Sequence, residues 1–219
     1  MSRDQFNKKL EFFMDYYFLK TAAVCFGIFV VVLFLVHYFL PSRETALYVA
    51  VYDMTLDAGK TEALCQDLAG ISGEGTGTSQ ITVDDSFRSD SGKDVERLQV
   101  LAANRAVDVI ICPQRDIMEA YAGYGYLMPL TDILSPEAAE RAQTEGRLIM
   151  TPGMLWTDEI SFEDHESGRG PKKPYVLDIS STPGWESIAG SEAAGWLGVV
   201  LDSPHEKMVS ALINELMER

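Results

Sequence analysis

The stretch AVDVIICPQRDIMEAYAGYGYLMPLTDIL, Ala106 to Leu134, decides how the chain reads. VDVIICP is a short run that is apolar at nearly every position, as a strand buried on both sheet faces requires. RDIMEAYAGYG then has helical spacing, with a stop at Gly123 or Gly125. Strand followed at once by helix is half of a right-handed crossover unit. The question outside that unit is whether Pro113 to Tyr126 rims a ligand site or only ties strand to helix.

The same alternation extends in both directions. Upstream, ALYVAVYD reads as a strand ending near Asp53, TLDAGKTEALCQDLAG as a helix, ITVDDSF as a second strand and SGKDVERLQVLAANRA as a second helix. Downstream, LTDILSPEAAERAQTEG gives two helices or turns, with Ser135 and Pro136 forming a regular helix start. RLIMTP, YVLDIS and GWLGVVLD are further strands, DEISFEDHESGRGPKKP is an exposed loop or hairpin tip, and SPHEKMVSALINELMER is the closing helix. Strands alternating with helices predict an α/β domain, a mainly parallel sheet with flanking helices.

Ahead of that domain, Thr21 to Leu40 carries no Asp, Glu, Lys or Arg. About 20 apolar residues suffice for a helix to cross a bilayer. HYFLPSRE, which ends the run, lacks the small-residue cleavage site of a signal peptide, so an uncleaved anchor is expected. Cys25 lies near the start of the run, whereas a lipid-modified cysteine would follow it. Arg3, Lys8, Lys9 and Lys20 precede the run and only Arg43 follows closely, which orients the N-terminus to the cytoplasm. The predicted layout is a cytoplasmic segment over 1–20, a transmembrane helix over 21–40, a linker over 41–45 and an extracellular domain over 46–219. In the first segment Phe6, Leu10, Phe13, Tyr17 and Phe18 recur at helical spacing and suit the membrane interface.

Beyond the membrane run, 14 basic residues face 30 acidic ones, a net of −16. That balance argues against nucleic acid and anionic lipid surfaces as partners. Cys65 and Cys112 are the two cysteines outside the run; two thiols are no disulfide framework, and the sequence leaves their pairing open.

Catalytic motifs are missing: no G-x-S-x-G elbow, H-E-x-x-H, P-loop or Cys-x-x-Cys is found. The glycines of ISGEGTGTSQ follow a helix and precede a strand, the reverse of a phosphate cradle. Carboxylates beside His165 sit in a flexible loop without the fixed geometry of a metal site. Asp202, Ser203 and His205 read as a helix start, with Ser203 capping and Pro204 in the first turn. No catalytic residue, metal or cofactor is therefore expected.

Ligands of parallel sheets bind beyond the carboxyl ends of the strands. That rule selects Tyr52, Asp53 and Met54, then Asp84 and Asp85, then Pro113, Gln114 and Asp116. Tyr121, Tyr124 and Tyr126 could form an aromatic cage, or could pack with their hydroxyls exposed, and Trp185 and Trp196 are similar cases. Asp53, Asp84 and Asp116 could likewise do no more than end strands or cap helices.

VDVIICPQRDIMEAYAGYGYLMPLTDIL, with its G-x-L-x-P-L turn at Gly125–Leu130, and GWLGVVLDSPHEKMVSALINELME resemble segments of the extracellular solute-binding proteins of ABC transporters. The likeness extends over about Ala46 to Glu218 and rests on pattern rather than on invariant residues. It implies a periplasmic-binding-protein-like lobe whose ligand edge falls near Asp53, Pro113, Gln114 and Asp116. Two departures matter: the chain carries a membrane run, and Leu148 to Tyr175 is too short to hold the second lobe that would close over a ligand. The resulting expectation is a non-enzymatic, single-pass membrane protein displaying a reduced lobe for weak small-molecule recognition or for docking to a transporter or sensor. The alternative is a structural interaction protein that keeps the fold without a pocket.

Overall fold

The computed structural model describes residues 22–30, 45–71, 80–155 and 167–218. Residues 22–30 are helical with exposed apolar side chains. No helix among the described residues is long and apolar enough to cross a membrane. The rest of the predicted span, the 1–20 segment, His37 and the His165 cluster lie outside the described residues.

The second unit, Thr45–Arg219, is built on one six-stranded sheet. In chain order it runs β1 (Thr45–Tyr52), α1 (Ala58–Ile71), β2 (Gln80–Phe87), α2 (Gly92–Ala103), β3 (Val109–Cys112), α3 (Arg115–Gly123), a 3-10 turn (Leu130–Asp132), α4 (Pro136–Thr144), β4 (Leu148–Pro152), β5 (Lys172–Asp178), α5 (Pro183–Ala189), β6 (Trp196–Val199) and α6 (Glu206–Glu218). The strand order is β2-β1-β3-β6-β5-β4.

The α/β class holds, but the sheet is mixed rather than mainly parallel. β1 pairs in parallel with β2 and β3, whereas β3–β6, β6–β5 and β5–β4 are antiparallel. The cause lies in the C-terminal half: β4 and β5 form a hairpin arm, and β6 then inserts between β5 and β3 running against both. Periodicity along one strand does not report the direction of its neighbour, which is why the alternation of strands and helices misled here.

β3 is central, and all four of its residues are buried. Two apolar layers flank the sheet. On one face Leu64 and Leu68 of α1 join Trp185 of α5 and Val209, Leu212, Ile213 and Leu216 of α6. On the other, Leu98 and Ala102 of α2 join Met118, Tyr121 and Ala122 of α3. Trp185 packs fully, and its indole N–H donates to the Ala193 carbonyl at 3.0 Å, satisfying the one polar atom it buries. α5 itself was missed in the sequence because its seven residues, PGWESIA, are too few to display a period.

The local punctuation follows the side chains. Ser135 accepts from the Ala138 N–H at 3.2 Å ahead of Pro136, and Ser91 caps α2 from the Asp94 N–H at 3.4 Å. α3 includes Gly123 and stops there; Gly125, at φ 77°, takes the left-handed conformation that turns the chain away. Cys65 and Cys112 are both free thiols.

Candidate functional site

α1 leaves β1 on one face of the sheet and α2 leaves β2 on the other, so the chain reverses its winding between β1 and β3. This reversal is the topological switch point, where adjacent loops diverge and open a crevice at the carboxyl ends of the strands. Asp53 follows β1 directly and Pro113 follows β3 directly, so both stand at this point.

Asp53 has φ 51°, a left-handed conformation that aspartate tolerates better than most residues. Its backbone N–H donates to the Phe87 carbonyl at 3.0 Å, and its Oδ1 accepts from the Ser89 N–H at 2.8 Å. One residue thus clamps the end of β1 to the loop after β2. Its Oδ2 is buried without a hydrogen-bond partner.

On the β3 side, Gln114 is the residue before α3, with an extended backbone and no side-chain cap, so its exposed amide is uncommitted to the helix. Its N–H donates to the Cys112 Sγ at 3.4 Å. Asp116 is exposed in the first turn of α3, where the helix dipole favours a carboxylate. Cys112 is fully buried between the two sides. Burial pushes its thiol up to about 11, with the carboxylates of Asp53 and Asp116 adding to the effect against the Gln114 N–H. Both carboxylates are therefore in electrostatic reach of one thiol. Beside it, Trp196 pairs in register with Cys112, and the Arg115 guanidinium lies 5.6 Å from the Trp196 ring centroid while bonding Glu119 at 2.7 Å.

The tyrosines divide. Tyr121 is buried, and its hydroxyl is spent on that of Tyr52 at 2.8 Å; burial raises both phenols. The void beside Tyr121 and Tyr126 holds about 10 Å³, room for about one water, so this pair packs and encloses no ligand. Tyr124 is exposed, stacked edge-on against Tyr126 at 6.4 Å. It lies beyond the far end of α3, about 12 Å along the axis from Asp116. Asp53 and Pro113 thus follow neighbouring parallel strands, Gln114 and Asp116 come next on the β3 side, and Tyr124 lies apart. Asp84 and Asp85 fall inside β2, not after it: Asp84 bonds Tyr48 at 2.8 Å and Arg97 at 2.9 Å, and Asp85 accepts from the Leu56 N–H at 3.0 Å.

At the opposite edge lies a node that the sequence reading did not find. Asp108, 2% exposed, accepts from the Tyr48 N–H at 2.8 Å and the Ser203 hydroxyl at 2.6 Å, and faces the His205 Nδ1 at 3.0 Å. Ser203 Oγ also accepts from the His205 N–H at 3.4 Å, the helix itself opens at Glu206, and Asp202 pairs with Arg105 at 2.7 Å. Ser, His and Asp are present, yet the serine donates to the aspartate and not to the imidazole. A nucleophilic relay needs the serine on the imidazole, so the connectivity is that of a structural clasp. The available signal was Asp108 itself, a charge opening a fully buried strand, which must find partners.

Among the described residues no group of three or more His, Cys, Asp or Glu could hold a metal ion. The sequence matches no protein-family model and no curated protein.

Proposed function

We propose that this chain is a single-pass membrane protein displaying a solute-binding-protein-like lobe outside the cell, and that it recognises a small polar ligand weakly, or a membrane partner, at the β1/β3 switch point. The observation that carries this reading is the polar set at that point: the Asp53 carboxylate, whose Oδ2 has no hydrogen-bond partner while its Oδ1 accepts from Ser89, the exposed Gln114 amide and the exposed Asp116 carboxylate, beyond the ends of two neighbouring parallel strands.

Three features support it. The β2-β1-β3 half with an antiparallel strand beside it suits the lobe architecture that the sequence resembles. The β4–β5 hairpin occupies the position where a second lobe would be inserted. The charge-free run from Thr21 to Leu40 suits an anchor. With one lobe, the ligand has one wall, and binding stays weak unless a partner supplies the other. The role is recognition and not catalysis, since the serine, histidine and aspartate that meet at Asp108 lack the connectivity for nucleophilic attack.

A ligand that binds only the native state raises its melting temperature. The test is a thermal-shift panel of amino acids, sugars, short peptides and metal ions on the full chain in lipid nanodiscs. A hit abolished by Gln114→Ala with Asp116→Ala, in a variant that melts like the parent, supports the site. A hit unchanged by the double variant removes the switch point from consideration, and a blank panel shifts the reading to partner docking.

A further inference from the structure

Away from the switch point, β2 is an outer strand: among the described strands it pairs with β1 alone, and Ile81 to Asp85 are only half-buried. An outer strand offers unpaired N–H and C=O groups to any extended chain. Beside it, between β2 and α1, runs a groove of about 420 Å³ whose floor is Leu56, Cys65, Ile81 and Val83. That volume takes one or two apolar side chains. A helix flanking an outer strand across such a groove is the arrangement that captures peptides by strand addition.

We propose that this groove docks an extended segment of a partner protein, added as a further strand against β2, whose groove-facing residues, every second one, combine apolar and basic side chains. Charge selects that occupant. Glu62 and Asp85 line the groove and no Lys or Arg does, so a basic strand is complementary. A second copy of this chain is a poor occupant. β2 laid antiparallel on itself brings the Asp84–Asp85 pairs of the two copies together, and like charges facing across strands repel.

The test uses the full chain in nanodiscs of zwitterionic lipid and a fluorescent blocked peptide in which valine and lysine take turns at every second position and threonine fills the rest, with hydrogen exchange followed on β2. Saturable binding is expected, with exchange slowed along β2. Glu62→Lys should weaken it about tenfold. Equal binding of the same peptide with glutamate in place of lysine overturns the proposal, as does binding indifferent to Glu62→Lys. So does β2 protection already complete without peptide, meaning the chain covers its own groove, or dimerisation through β2.

Discussion

Asp108→Ala should be among the most damaging single substitutions in the domain. The carboxylate is 2% exposed and holds three donors from two distant parts of the chain, the Tyr48 N–H, the Ser203 hydroxyl and the His205 imidazole. Removing it leaves the buried Ser203 hydroxyl and the Tyr48 N–H unpaired, and an orphaned buried donor costs about 1–3 kcal/mol. The imidazole contributes less, because His205 is 32% exposed and water replaces its partner. The sum is a loss of about 3–5 kcal/mol, which for a domain of this size lowers the melting temperature by about 8–15 °C. Ser203→Ala should cost about 1–2 kcal/mol and His205→Ala less than that. Thermal or urea unfolding of the three variants measures the series. An Asp108→Ala protein melting within about 3 °C of the parent, or a His205→Ala loss exceeding that of Asp108→Ala, would refute the view of Asp108 as the hub.

Gly184 in α5 lies against the backbone of Glu215 and Leu216 in α6, where a Cβ would collide with the Glu215 carbonyl. Gly184→Ala should destabilise by about 1–3 kcal/mol through overpacking, read by urea unfolding, while Gly190→Ala, which adds its Cβ to open space but strains a φ of 96°, tests backbone and not packing. Stability should also fall in alkali. Burial raises Cys112 from 9.0 to about 11 and Tyr48 from 10.0 to about 12, and raises Tyr52 and Tyr121 as well. A raised folded value means the native state holds its proton more tightly than the unfolded chain, so stability is full below about pH 9 and is lost as pH rises through the 9–12 window. Denaturant midpoints measured from pH 7 to 11 should be flat and then decline, and the onset should move to higher pH in Cys112→Ser.

The fold was legible where one element decides itself. VDVIIC announces a buried strand, and the Ser135–Pro136 pair announces a helix start, because burial on both faces and a missing N–H are local facts. Strand direction was not legible, since nothing within GWLGVVLD states that it lies between β3 and β5 and runs against both. The candidate site divides on the same principle. Asp53, Pro113, Gln114 and Asp116 were chosen by a rule about strand ends, and the position that the rule assigned them holds because β1 and β3 are parallel neighbours. Tyr124 was drawn in by sequence proximity, although α3 carries it away from Asp116. The Arg115–Trp196 stack joins residues 81 positions apart and the Asp108 clasp residues 60 to 97 apart, and such partners become visible only when the sheet is assembled.

The most direct test of the switch-point reading is isothermal titration of the strongest ligand from the thermal-shift panel into three forms of the full chain in nanodiscs: the parent, Gln114→Ala with Asp116→Ala, and Glu62→Lys as a remote control. The account predicts at least tenfold weaker binding in the double variant and parent-like binding in Glu62→Lys. Parent-like binding in the double variant, with loss in Glu62→Lys, would contradict it and move ligand recognition to the groove beside β2.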